Sequence, residues 1–314
     1  MLYGNIRGVD KPVSRLVIGT GLYPPPEVLD RFVAAGGTAF DSAFNHPGEI
    51  ELGRWLARRP DRDRLVVLGK GGHPKRGPDG FGPSRVTPAD LSDDLDESLE
   101  RLSLRPIDLF VAHRDDPSAD LEPIVECLDR FVRSGRARAV GVSNWSRDRL
   151  AEAGQIAARR GWAPLVLTSP QFSAAVAREP EFPGSLSASG PDRRAEREWY
   201  EEQGIALWGW SSLACGYLAG ELAADSPYAE IRRQLWRRCY DTEDNRARLA
   251  FIEELARRRG ASPAQIAIAY VLSSHANTWA VITCSSPARL DEDVAALAIR
   301  LSADEIARIE RPDQ

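Results

Sequence analysis

The sequence predicts an α/β protein folded as a (β/α)8 TIM barrel, and three observations predict it. Eight short apolar runs recur along the 314 residues, helix-length amphipathic stretches separate them, and no G-x-G-x-x-G fingerprint follows the first run. A doubly wound sheet is the competitor, and only the "GTG" at 19 to 21 suggests it. Residues 1–314 are taken as one domain, since α/β barrels run long.

Each element follows from local signals. The first run, "RLVIGTG" (15–21), leads into "PPEVLDRFVAAGG", where Pro opens a helix and Gly-Gly closes it. "TAFDSA" is the second strand, and "GEIELGRWLARRP" its helix. "RLVVLGK" (64–70) is third, followed by a Gly/Pro-rich loop and the helix "TPADLSDDLDESLERLSL", with Thr87 as N-cap and Pro88 at the first helical position. "IDLFVAH" and "DLEPIVECLDRFVRSG" make the fourth pair, "RAVGVSNW" and "SRDRLAEAGQIAARRG" the fifth. The sixth, seventh and eighth strands are "PLVLTSPQFS", "GIALWGWSSL" and "TWAVITCSS", the last followed by "ARLDEDVAALAI". Two segments break the period, 173–197 and 214–247. In a barrel both overhang the C-terminal face, where substrate loops lie.

Composition excludes several classes. The chain is 43% apolar and 28% charged, and no run approaches the roughly 18 to 20 apolar residues of a membrane span. The N-terminus lacks a secretory pattern, which points to the cytoplasm. Four scattered cysteines give no C-x-x-C pair, so neither a disulfide framework nor a metal site is expected. A net charge of −5 with interleaved acids and bases argues against nucleic acid. Only three of 41 basic residues are lysine, and Lys70 ends an apolar strand.

Strand ends of a barrel share one mouth. Here they supply Gly19 and Thr20, Asp41, Lys70, His113, Ser143 and Asn144, Gln171, Trp210 to Leu213, and Thr283. Buried Asp and Lys are rare unless paired, so Asp41 and Lys70 on adjacent strands form an expected ion pair beside His113. Charges and imidazoles in one cleft tune proton transfer. His73 and His275 are expected in solvent, and Trp208, Trp236, Tyr217 and Tyr240 as an aromatic wall suited to rings or sugars.

The motifs "DSAFNHPGEIELG" (41–53), "GK" (69–70), "IDLFVAH", "GVSNW" (141–145), "SPQFS" (169–173), "WSSLACGYLAG" (210–220) and "VITCSSPARLDED" (281–293), in this order, resemble the aldo-keto reductase superfamily over nearly the whole chain. The resemblance implies carbonyl reduction with NADPH by a tetrad of Asp, Tyr, Lys and His, which falls on Asp41, His46, Lys70 and His113. Its tyrosine position, five residues past the Asp, is histidine here. It further implies that Ser143, Asn144 and Gln171 hold the nicotinamide carboxamide, that Trp210 stacks on the ring, that Ser211 and Leu213 meet the pyrophosphate and that Arg289 meets the 2′-phosphate. Thr283 and Asp293 depart from residues the family often has, yet NADP(H) is favoured over NAD(H).

The histidine leaves three readings open. His46 or His113 donates the proton of a reduction; a tyrosine from elsewhere, Tyr23 being nearest, fills the gap; or reduction is replaced by a redox-neutral elimination or epimerisation using His46 as base, or by nucleotide binding alone. Substrate identity and oligomeric state are not written in these motifs.

Overall fold

The structure is a computed structural model that describes residues 1–77, 80–219 and 229–312. Eight parallel strands close into a barrel in chain order: β1 (Leu16–Gly19), β2 (Ala39–Asp41), β3 (Val66–Gly71), β4 (Ile107–Ala112), β5 (Ala137–Val142), β6 (Leu165–Thr168), β7 (Ala206–Gly209) and β8 (Thr278–Ile282), with β8 pairing back to β1. The expected TIM barrel is the observed fold. Register sets Gly19 opposite Asp41, Asp41 opposite Leu68, and Lys70 opposite Val111, which brings the functional strand ends level.

Alternation along each strand builds two cores. Val17, Leu68, Val111 and Trp208 fill the barrel interior, while Ile18, Val67 and Phe110 face the helices. The covering helices read as expected from their apolar spacing. In α4 (Leu121–Arg133), Leu121, Ile124, Val125 and Leu128 are buried on one face. In α3 (Pro88–Leu102), the Thr87 hydroxyl accepts from the Asp90 amide at 3.1 Å, a cap that contributes about 1 kcal/mol.

Three features went unread in the sequence. An antiparallel hairpin, Tyr3–Ile6 with Val9–Ser14, covers the N-terminal end of the barrel, where Ile6, Val9 and Val13 join the interior core. Its strands are short and lack clean alternation, so no periodic signal marks them. The tail of the segment 173–197 is helical, entering α6 (Arg194–Glu202) rather than staying a loop. Within 214–247, turns at Ala214–Ala219 and a helix at Ala229–Leu235 are seen, and residues 220–228 lie outside the described residues. None of the helices among the described residues is long and apolar enough to cross a membrane.

Candidate active site

Ladder hydrogen bonds continue past the strands and fix the mouth. The Ser42 amide donates to Leu68, His113 to Gly71 and Ser143 to Ala112, each at 2.7 Å. On this frame Lys70 Nζ donates to Asp41 Oδ1, and both side chains are buried, as the sequence led us to expect. Asp41 has a further partner that the sequence reading missed, because Trp208 Nε1 donates to its Oδ2 at 2.9 Å. Trp208 is therefore not part of a substrate wall: it lies wholly buried inside the barrel, stacked on Trp279 with centroids 6.2 Å apart. Its spacing of two from Trp210 put both on the same strand face, which was the available signal. Burial draws the Lys70 ammonium pKa down, with Asp41 opposing.

His46 sits in the turn before α2 (Glu49–Leu56) and is partly buried. Its centroid is 5.8 Å from that of His113, whose own Nδ1 has no hydrogen-bond partner among the described residues. Desolvation first, then Lys70, His73 and Arg114, hold the His46 pKa well below the usual imidazole value. His113 is lowered by burial, then by Lys70 and Arg114. Both rings are neutral at pH 7.

A third imidazole joins them. His73, expected in solvent, is 7% exposed, lies 4.8 Å from His113 between ring centroids, and has its pKa drawn down to about 4, chiefly by burial. The expectation failed because a polar, Gly-rich sequence was read as a solvated loop, whereas Phe81 folds back on the His73 ring. His275 is likewise not simply solvated: it accepts from Arg197 Nε at 3.1 Å and faces Glu201. Tyr23 is 56% exposed.

Glu49 and Gly53, four residues apart in α2, act together. A Cβ on Gly53 would stand 1.9 Å from the Arg101 carbonyl oxygen, so glycine lets α2 press on the end of α3. That packing buries Glu49 completely. Its carboxylate accepts from Ser42 Oγ at 2.9 Å and Ser98 Oγ at 3.0 Å, with Arg101 at 3.6 Å. Ser42 in turn is 3.0 Å from Thr20 Oγ1, which is 3.3 Å from His46 Nδ1. An unbroken chain of polar atoms thus links His46 to a buried carboxyl whose pKa burial raises. Thr20 is wholly buried within this chain. Gly19 at the end of β1 faces Val281 and Thr283.

The residues expected to hold a nicotinamide have their polar atoms engaged by the protein itself. Ser143 Oγ donates to Ser169 O, and Asn144 Nδ2 to His113 O, while Asn144 Oδ1 accepts from the Leu186 amide at 3.1 Å. Gln171 Nε2 donates to Ser173 Oγ, and its Oε1 accepts from Ser187 and Ser189. Phe182 lies 6.1 Å from Trp210 between centroids. Ser211 and Cys215 both donate to Glu181 Oε2 at 3.0 Å, and Tyr240 to its Oε1. Asn144, Ser211, Ala214 and Cys215 all have positive φ, a concentration of strain at one face of the fold. The segment 181–189 therefore roofs this half of the mouth. Leu213 is partly buried against the core. Of the expected aromatic wall, Tyr217, Trp236 and Tyr240 do pack together.

After β8, Arg289 pairs with Glu292 at 2.9 Å and stays partly exposed. Asp293 is buried, accepts from Cys284, and leaves Oδ1 without a partner; its pKa rises to about 6, mainly from burial. An orphaned acceptor there suits an amino group such as adenine's. The amides and hydroxyls at the other end suit a carboxamide once the hydrogen bonds of 181–189 are exchanged. The residues fit a dinucleotide in that sense. Among the described residues no three His, Cys, Asp or Glu side chains are grouped to hold a metal ion.

The molecule is thus a parallel α/β barrel with a buried Asp–Lys pair and imidazoles converging at its mouth. Residues 26–313 match the aldo/keto reductase family, and the chain belongs to it. It is 29% identical, over 90% of its length and 82% of the relative's, to L-glyceraldehyde 3-phosphate reductase of Escherichia coli K12. It is also 29% identical to norsolorinic acid reductase stcV of Emericella nidulans, over 90% of this chain and 70% of that one. Protein tas of Escherichia coli K12 is 26% identical, over 91% and 88%.

Proposed function

We propose that this protein is a single-domain, cytoplasmic carbonyl oxidoreductase that uses NADP(H) in preference to NAD(H), with His46 acting where the family has tyrosine. Its substrate is a small molecule, and the reductase names of its relatives support an aldehyde or ketone. The observation that carries this reading is the buried Asp41–Lys70 pair beside His46 and a His113 with an unpartnered ring nitrogen.

Ser143, Asn144 and Gln171 would hold the carboxamide, Trp210 the ring face, Ser211 and Leu213 the pyrophosphate, and Arg289 the 2′-phosphate. When bound, the dihydronicotinamide supplies a hydride to the carbonyl carbon. His113 and His46 orient the carbonyl oxygen, and Lys70, neutralised by Asp41, sets the field. Proton supply then turns on Glu49. With its carboxyl protonated, the chain through Ser42 and Thr20 donates toward His46 Nδ1 and leaves a proton on Nε2; as Nε2 gives that proton to the oxygen, Nδ1 takes one from Thr20, Thr20 from Ser42 and Ser42 from Glu49, which ends as the carboxylate. With Glu49 ionised the chain reverses, Nδ1 carries the proton, and Nε2 is a bare acceptor. That second state supports a base, and hence alcohol oxidation or the redox-neutral alternative.

Two measurements test the proposal. Tryptophan fluorescence titrated with NADPH and with NADH should saturate, NADPH at lower concentration. Glu181→Gln should tighten NADPH about tenfold, since it keeps an acceptor for Ser211 and Cys215 but removes a carboxylate that would oppose the pyrophosphate. Failure of either nucleotide to bind would sink the oxidoreductase reading. In turnover, His46→Ala should lose about 100-fold or more, and His46→Tyr should exceed the wild-type rate, because a phenol beside Lys70 is a better acid than a neutral imidazole. Equal rates in all three would remove His46 from the chemistry, and product formed without change in the nucleotide would favour the redox-neutral reaction.

A further inference from the structure

We propose that Arg114 is an anion-binding residue of the substrate subsite, so that the carbonyl substrate carries a carboxylate or phosphate group within reach of this guanidinium. This inference rests on the carbonyl oxidoreductase reading above for the word substrate, but its anion site stands on separate observations.

Arg114 follows His113 at the end of β4, and only 9% of it is exposed. Trp145 Nε1 fixes its backbone by donating to the Arg114 carbonyl at 3.0 Å. Its Nη1 donates to the His113 carbonyl at 3.2 Å, which satisfies one of five N–H groups. Among the described residues no carboxylate lies within ion-pair distance of it, and it lies over no aromatic ring, whereas Arg149 nearby pairs with Asp115 at 2.7 Å. Arginine is almost never this buried unless paired.

The groups around it sharpen the imbalance. Lys70 is matched by Asp41, and His46, His73 and His113 are neutral, so among these described groups the Arg114 charge is uncompensated. Its burial draws the guanidinium itself down to about 10, the cost of a charge without a partner. Gly184, at φ 71°, brings the roofing segment over the aliphatic stem, where a Cβ would stand 3.9 Å from Arg114 Cδ. A guanidinium held by its stem and backbone presents a planar fork suited to two oxygens of a carboxylate or phosphate. A bound anion would also relieve the charge that helps keep the neighbouring imidazoles neutral.

The test is calorimetric titration of the whole protein with glycerol 3-phosphate, succinate and uncharged glycerol, in the wild type, Arg114→Gln and Arg114→Lys. The wild type should bind at least one of the two anions saturably and glycerol not at all, and which anion binds names the group. Arg114→Gln should weaken that binding at least about tenfold, with Arg114→Lys between, since a lysine keeps the charge but not the fork. NADPH affinity should be unchanged in both variants, and the melting temperature of Arg114→Gln without anion should equal or exceed the wild type's. No saturable anion binding, equal binding in wild type and Arg114→Gln, a parallel loss of NADPH affinity, or a lowered melting temperature would each overturn the assignment. Because no turnover is read, a failed reductase assay leaves this outcome legible.

Discussion

His73→Gln is expected to gain about 3 kcal/mol of stability on the wild-type protein as pH falls from 7 to 4. The imidazole has an ordinary value near 6.5 when unfolded and about 4 in the fold. A base whose folded value is depressed contributes stability that is fully present above 6.5 and lost as pH falls through 6.5 toward 4, because the unfolded chain takes up the proton first. Glutamine keeps much of the volume and removes the titration. The comparison must be between variant and wild type, because the molecule holds groups of opposite sign. Asp293, raised to about 6, and Glu49 and Glu181, raised by burial, lose stability as pH rises. Urea unfolding of both proteins at pH 7, 6, 5 and 4 reads the difference directly. A difference that stays constant across that range would show that His73 is not held neutral.

Asp41→Ala is expected to cost about 3 to 5 kcal/mol, a large share of the stability of a typical domain. The substitution leaves the Lys70 ammonium buried without its counter-charge and the Trp208 indole without its acceptor. The double variant Asp41→Ala/Lys70→Met should recover most of the loss, since removing both charges is far cheaper than stranding one. Chemical denaturation of the two single variants and the double variant completes the cycle. If the double variant is as unstable as Asp41→Ala, the lost indole contact and the cavity dominate, and the ion pair is not what Asp41 chiefly serves.

Sequence patterns revealed what is local or periodic. The Thr87 cap needs only residues three apart, and the strand ends need only the rule that a barrel gathers them at one rim. The histidine in the tyrosine position is a matter of counting five residues from Asp41. What stayed hidden depends on contacts that no period encodes. Trp208 meets Asp41 across 167 residues, and Glu181 meets Ser211 across 30. Glu49 becomes part of a polar chain only because Gly53 allows two helices to touch. Arg114 and His73 carried charge or imidazole in plain view, but their significance is burial, and burial is set by segments folded over them.

The hairpin at the foot of the barrel and the segment 181–189 at its head bear together on traffic. Val13, Ile6 and Trp279 seal the lower end with side chains. The barrel interior is then closed from below. Whatever reaches the strand ends arrives from above, past a strip of chain held over the opening by hydroxyls and amides.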